Sequence, residues 1–262
     1  MKKTIQTQWY LVALTLIVSV PGAILRGRQL LYELQPDGSL AVGSSMHIVL
    51  ALLCGVWLAG VIALLLPLAK KTQWAECFRV SVVPNLFQLS AAGLLIVGNI
   101  LLWIEGRQPT TAFATQSPAV SEALSAILPP LGILSAVCIG AFAVFCLRGK
   151  RPSPLLYMIA SIYLVVRLIV CFQEWNIDPS VHDYAFRLLA AICCMLATFQ
   201  LAGFSFDRGK RRMTLFWSLS AVVFCSITAA DALIGGAAHE ALIHFGLLLS
   251  LGVSSGQLLF TK

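Results

Sequence analysis

Arg167, Glu174, Asp183, Arg187, Asp231 and His244 are the side chains of this sequence best placed to do chemistry. Two arginines can hold a carboxylate or a phosphate through paired N–H donors. A carboxylate and an imidazole can carry a proton. Each group also has an architectural use. Asp183 and Arg187 stand four residues apart, a spacing that pairs charges locally along one helix face, and we read them that way. Arg167 or Arg187 paired with Asp231 would lower the cost of burying either charge. For Arg167 and Asp231 the binding and structural readings stay equally open.

These residues are informative because of where they sit. The chain has 262 residues, 59% hydrophobic and only 11% charged, against about 25% charged in a soluble domain. Several apolar runs approach the roughly 20 residues needed to cross a bilayer. The expected class is an all-α polytopic membrane protein. A β-barrel is not expected, because its strands would alternate apolar and polar side chains. Eight spans are expected, at about 8–33, 44–68, 80–104, 121–147, 154–175, 182–206, 213–235 and 239–260. No segment between them is long enough for a soluble domain. An ionisable group against lipid is costly, so such residues are expected to face the bundle or a wet cavity.

Basic residues set the orientation. Lys2, Lys3, Lys70, Lys71, Arg79, Arg148, Lys150, Arg151, Arg208, Lys210, Arg211, Arg212 and Lys262 fall on one side if the spans alternate. Cytoplasmic loops attract such residues, which predicts cytoplasmic N- and C-termini. The net charge of +7 is then a topology signal and gives no reason to expect nucleic acid as a partner. The run 208–212 reads as a topology anchor; binding of anionic lipid head groups is the alternative. Lys2, Lys3 and the apolar run ending at Pro21-Gly22-Ala23 resemble a signal peptide. We keep that stretch as the first span, since apolar character resumes after Arg28.

The chain also repeats itself. Arg26, Glu33, Asp37 and Ser39 recur in order as Arg167, Glu174, Asp178 and Ser180. Glu122-Ala123-Leu124 recurs as Glu240-Ala241-Leu242, and Asn99 and Asp231 fall at comparable depths. This predicts a parallel 4+4 repeat, with residues 1–150 and 151–262 as two four-helix halves of one membrane-embedded unit. Chance similarity among Leu- and Ala-rich helices is the competing explanation. Arg26 could snorkel to the head groups; the repeated set reads as an inherited hairpin framework in both halves, with any specialised site elaborated in the second.

Other features have plainer expectations. Pro129-Pro130 should kink or break the fourth span. Gly252 and Gly256 have the spacing of close helix packing. The eight cysteines form no CxxC pair and read as core packing. His239 and His244 are five apart, which is wrong for two metal ligands on one helix face. Glu240 reads as a favourable charge in a helix's first turn. No metal or cofactor is implied.

Function is bounded more than specified. No lysine lies within a span, so a retinal Schiff base is excluded, and no phosphate loop, nucleophile elbow or HExxH is present. The leading expectation is a multi-pass plasma-membrane protein that carries or binds a small solute. Its polar pocket would face outward in the second half. The alternative is a sensor or accessory subunit of a membrane complex. An intramembrane enzyme ranks last, for want of a nucleophile pattern.

Overall fold

The structure, a computed structural model, describes residues 2–33, 45–69, 73–78, 81–105, 119–177 and 181–260. Every regular element among them is helical. In chain order they are α1 (Lys2–Glu33), α2 (Ser45–Leu65), α3 (Trp74–Cys77), α4 (Val82–Glu105), α5 (Ala119–Leu147), α6 (Leu155–Ile177), α7 (Val181–Ser205), α8 (Arg211–Ile234) and α9 (Ala238–Leu259). All but the one-turn α3 are long and apolar enough to cross a bilayer, which gives 8 spans and an integral multi-pass membrane protein. Helices are the natural solution in lipid, because they satisfy every backbone N–H and C=O internally. Hydroxyls bond back to their own helices for the same reason. Thr15 donates to the Leu11 carbonyl at 2.8 Å, and Ser255 to that of Leu251 at 2.7 Å.

Six helices pack in a closed ring. Each of α4, α5, α6, α7, α8 and α9 lies beside the next, and α9 returns to lie against α4. Outside the ring, α1 packs on α8, and α2 packs chiefly on α1. The ring therefore draws two helices from residues 1–150 and four from 151–262. Long side chains fill its interior, with Arg167, Tyr157 and Tyr163 among the largest fully buried groups.

The α4–α9 closure depends on glycine, though not on the pair the spacing suggested. A Cβ at Gly98 would lie 2.8 Å from Ile243 Cγ1 and 3.1 Å from the His239 carbonyl oxygen. Across the same seam, a Cβ at Gly246 would lie 2.7 Å from Leu95 Cγ and 3.1 Å from the Ala91 carbonyl. By contrast, nothing lies within 4 Å of the Cβ position of Gly256, and Gly252 meets only Val222 at 3.7 Å. Backbone cannot retreat as a side chain can. Gly98→Val should therefore cost about 1–3 kcal/mol by overpacking, while Gly256→Ala should change stability by at most about 0.5 kcal/mol. Thermal unfolding midpoints in detergent would check the ranking; equal effects would contradict the seam.

Pro129 and Pro130 do not break their span. Helix α5 runs through both from Ala119 to Leu147. Proline removes a helix donor and crowds the preceding turn, yet neighbouring helices can accommodate both effects. What this stretch supplies is room. Gly132 lies so close to the Asn99 amide that a Cβ there would overlap it.

The two ends of the ring differ. One end carries Arg148, Arg151, Arg208, Arg211 and Arg212 and is called the basic face below. There, Arg211 donates through Nε to the Leu258 carbonyl at 2.9 Å and through Nη2 to that of Leu259 at 3.0 Å. Arg212 donates to the Leu68 carbonyl. Arg211 thus caps the end of α9, where a cation is favourable, and Arg212 ties α8 to the segment after α2. Helix α3 also sits at this end. Trp74 stacks on Phe78 at 4.3 Å, and Phe78 meets Phe142 of α5 at 5.7 Å and Phe204 of α7 at 5.8 Å. Phe142 in turn packs edge-on against Tyr157 of α6 at 4.4 Å. An aromatic plug therefore fills the ring at its basic face.

Candidate functional site

Toward the opposite face, charged groups meet across the ring. Arg167 lies 12 residues into α6, about 18 Å along its axis at 1.5 Å per residue, and is only 2% exposed. Its guanidinium reaches α9 and donates through Nη2 to Glu240 Oε2. Arg187 of α7 donates through Nη2 to the other oxygen, Glu240 Oε1, at 3.0 Å. One carboxylate therefore holds two arginines from two different helices. His244 lies one turn further along α9, with Nε2 3.5 Å from Glu240 Oε2 and 3.5 Å from Arg167 Nη2.

The network extends both ways. Arg167 Nη1 donates to the Tyr163 hydroxyl at 3.4 Å, and Tyr163 donates to Asn99 Oδ1 of α4 at 3.2 Å. Asn99 donates back to the Leu95 carbonyl at 2.8 Å, in the space Gly132 leaves. On the other side, Cys225 of α8 lies against the His244 ring, with its sulfur 3.4 Å from Cys194 Sγ of α7. At the rim, His239 Nδ1 lies 2.5 Å from Glu105 Oε2 of α4. Residues from α4, α6, α7, α8 and α9 thus converge on one ion cluster.

A smaller polar group continues toward the basic face. Gln88 of α4 donates to Ser250 Oγ of α9 at 2.6 Å and lies 3.3 Å from the Tyr157 hydroxyl of α6. Between the two depths, Ser161 of α6 bonds Thr198 of α7 at 3.0 Å. Polar side chains therefore occur at successive levels of the ring.

A second ion pair lies outside the ring. Arg26 of α1 is 1% exposed and donates through Nε to Asp231 Oδ1 of α8 at 2.7 Å. Its Nη1 donates to Gln29 Oε1 at 2.8 Å, and its guanidinium carbon lies 5.5 Å from the Phe186 ring centre. Arg26 does not snorkel; it is sealed between helices.

Several expectations change accordingly. Asp231 pairs with Arg26, and neither Arg167 nor Arg187 takes that place. Arg187 donates to Glu240; the side chains of Asp183, its expected local partner, and of Glu174, and the turn residues Asp37 and Asp178, lie outside the described residues. Glu240 is more than a favourable first-turn charge: it is the hub. The first half also has a deeply buried charge in Arg26. Of the six residues singled out at the start, Arg167, Arg187 and His244 come together, and Asp231 stands apart. Glu240 was legible as a partner, since Glu240 and His244 share a helix face at i, i+4, as do Tyr163 and Arg167. Cys225 and Cys194 carried no such signal.

Among the described residues, no group of three or more His, Cys, Asp or Glu is arranged to hold a metal ion. No protein-family model, no curated protein and no solved structure matches the chain.

Proposed function

We propose that the protein is a carrier-like binding protein for a small solute. Its site is the Arg167–Glu240–Arg187 cluster with His244, open to the extracytoplasmic face of the plasma membrane. One observation carries this reading: Arg167 and Glu240 meet inside the six-helix ring. An intramembrane charge that lines a bundle interior is by default a functional candidate. The ends of the ring support the direction of access. Arg187 is a quarter exposed, at 25%, and Glu105 at the rim is 48% exposed, while the aromatic plug fills the basic face. The polar levels at Ser161–Thr198 and Gln88–Ser250 continue inward from the cluster. The proposed orientation puts the basic face in the cytoplasm. The proposed 4+4 duplication accounts for Arg26 and Arg167 both being buried arginines that pair with a carboxylate from another helix.

A sensor or accessory subunit is the second reading. It draws support from α2, which packs on little besides α1 and leaves Ile48, Leu52 and Val56 exposed. Lipid covers such a helix as well as a partner would.

A thermal-stabilisation screen of the purified protein separates the two. The set should span amino acids, organic acids, sugars, nucleosides and amines. Binding of the right solute stabilises the folded state by mass action, by about 2.7 kcal/mol at a hundred times Kd. At least one class should raise the unfolding midpoint. A flat response across the set would favour the accessory role.

A further inference from the structure

We propose that Glu240 is a resident anion that a solute carboxylate replaces, and that one proton accompanies the exchange. This rests on the solute-binding reading above and names its substrate class: small organic acids.

The clamp has the form of a carboxylate site already occupied. Arg187 Nη2 donates to Oε1 at 3.0 Å, and Arg167 Nη2 donates to Oε2. Guanidinium N–H groups directed at both oxygens are the arrangement by which arginine recognises planar oxyanions. Here the anion is tethered to the first turn of α9. A tethered group competes at high effective concentration, so a free carboxylate enters only when the tethered one withdraws. Protonation is the obvious means. A neutral Glu240 carboxyl loses most of its attraction for two cations, and Arg167, fully buried among apolar helices, then needs a new anion. The incoming carboxylate supplies it. The proton comes from the extracytoplasmic solution and binds a Glu240 oxygen, and no bond other than O–H forms. The site's charge is the same before and after, because one proton and one carboxylate arrive together.

The other charged and titratable groups around Glu240 suit this exchange. From α6 come Arg167 and Tyr163; from α7, Arg187 and Cys194; from α8, Cys225; and from α9 itself, His239 and His244. Glu105 of α4 reaches the cluster only through His239. His244 Nε2, 3.5 Å from Glu240 Oε2, is the nearest group able to pass a proton to it. Tyr163 and Asn99 offer neutral polar contacts that hold Arg167 in place whichever carboxylate it carries.

The test uses the wild-type protein in detergent, with acetate, lactate and succinate as probes and acetamide and chloride as controls. In weakly buffered solution near neutral pH, carboxylate binding should take up close to one proton per protein, read with a pH indicator. The stabilisation by each acid should be larger at pH 5.5 than at pH 7.5. Glu240→Gln mimics the protonated carboxyl. It should bind the acids about tenfold more tightly at pH 7.5, since the competent state no longer has to be populated first, and without proton uptake. If that variant does not fold, proton uptake by the wild type still decides. Carboxylate binding without proton uptake would overturn the exchange while leaving solute binding intact. Stabilisation by a neutral solute alone would overturn the substrate class and keep the carrier-like reading. Failure of these probes and of the broad screen together would remove both.

Discussion

Glu240→Ala is expected to destabilise the protein by about 3–5 kcal/mol, the usual cost of removing one partner from a buried ion pair. Among the described residues, the mutation leaves Arg167, 2% exposed, with the Tyr163 hydroxyl at 3.4 Å and the His244 ring at 3.5 Å. Neither carries a negative charge to replace the carboxylate. Arg167→Met should cost less, because Glu240 keeps Arg187 at 3.0 Å and lies nearer the membrane surface. The double change Arg167→Met/Glu240→Leu should be milder than Glu240→Ala alone, since an apolar pair leaves no orphaned charge. A double-mutant cycle on unfolding midpoints, with Arg167→Met and Glu240→Leu as its single variants, reads the coupling directly. Strictly additive losses would mean that the two groups do not meet across the ring.

The next largest effect should come from Arg26. Its guanidinium is the main polar tie between α1 and the ring, through Asp231 at 2.7 Å. Arg26→Met removes the charge and keeps much of the length, leaving the Asp231 carboxylate short of its cation. Asp231 is 19% exposed, so water softens the loss, and about 2–3 kcal/mol is expected, below the fully buried case. Asp231→Asn should be gentler, because an amide oxygen can still accept from Arg26 Nε. Arg28, two residues on and exposed, is the control: Arg28→Met should shift the midpoint by under about 0.5 kcal/mol. Protease sensitivity of the connection between α1 and α2 offers a second readout. It should rise in Arg26→Met if the tie holds the hairpin to α8.

These two arginines show what the sequence could and could not convey. Both were legible as repeated, unusual charges near the end of an apolar span. The spans were legible too, with edges within a few residues, because apolar length is a property of local sequence. Which carboxylate each arginine meets depends on which helices are neighbours, and apolar residues at every angle around a helix leave that undetermined. Asp231 looked available to Arg167 because both lie at one depth. The ring puts α8 beside α1 instead and hands Arg167 to α9. Pro129-Pro130 did not bring the break that was one of its two expected outcomes, since α5 continues through both. Proline's local cost is real, but the neighbouring helices decide whether the helix breaks. Glycine spacing misled: Gly252-xxx-Gly256 has the form of a packing motif, while the close approach runs through Gly98 of α4 and Gly246 of α9, with four helices between them in the chain order. The aromatic plug on α3 gave no sequence signal beyond Trp74 and Phe78, because one turn of helix has no periodicity to detect.

The claim that most needs testing is that the ion cluster binds a ligand and is not merely a brace between helices. Arg187→Gln addresses it most directly. Arg187 is the partly exposed arm of the clamp, and its loss leaves the Arg167–Glu240 pair in place. The unliganded unfolding midpoint should therefore stay close to that of wild type, within the equivalent of about 1 kcal/mol. The midpoint shift produced by the stabilising solute should be largely lost. A solute shift as large in Arg187→Gln as in wild type would contradict the account and return the cluster to architecture.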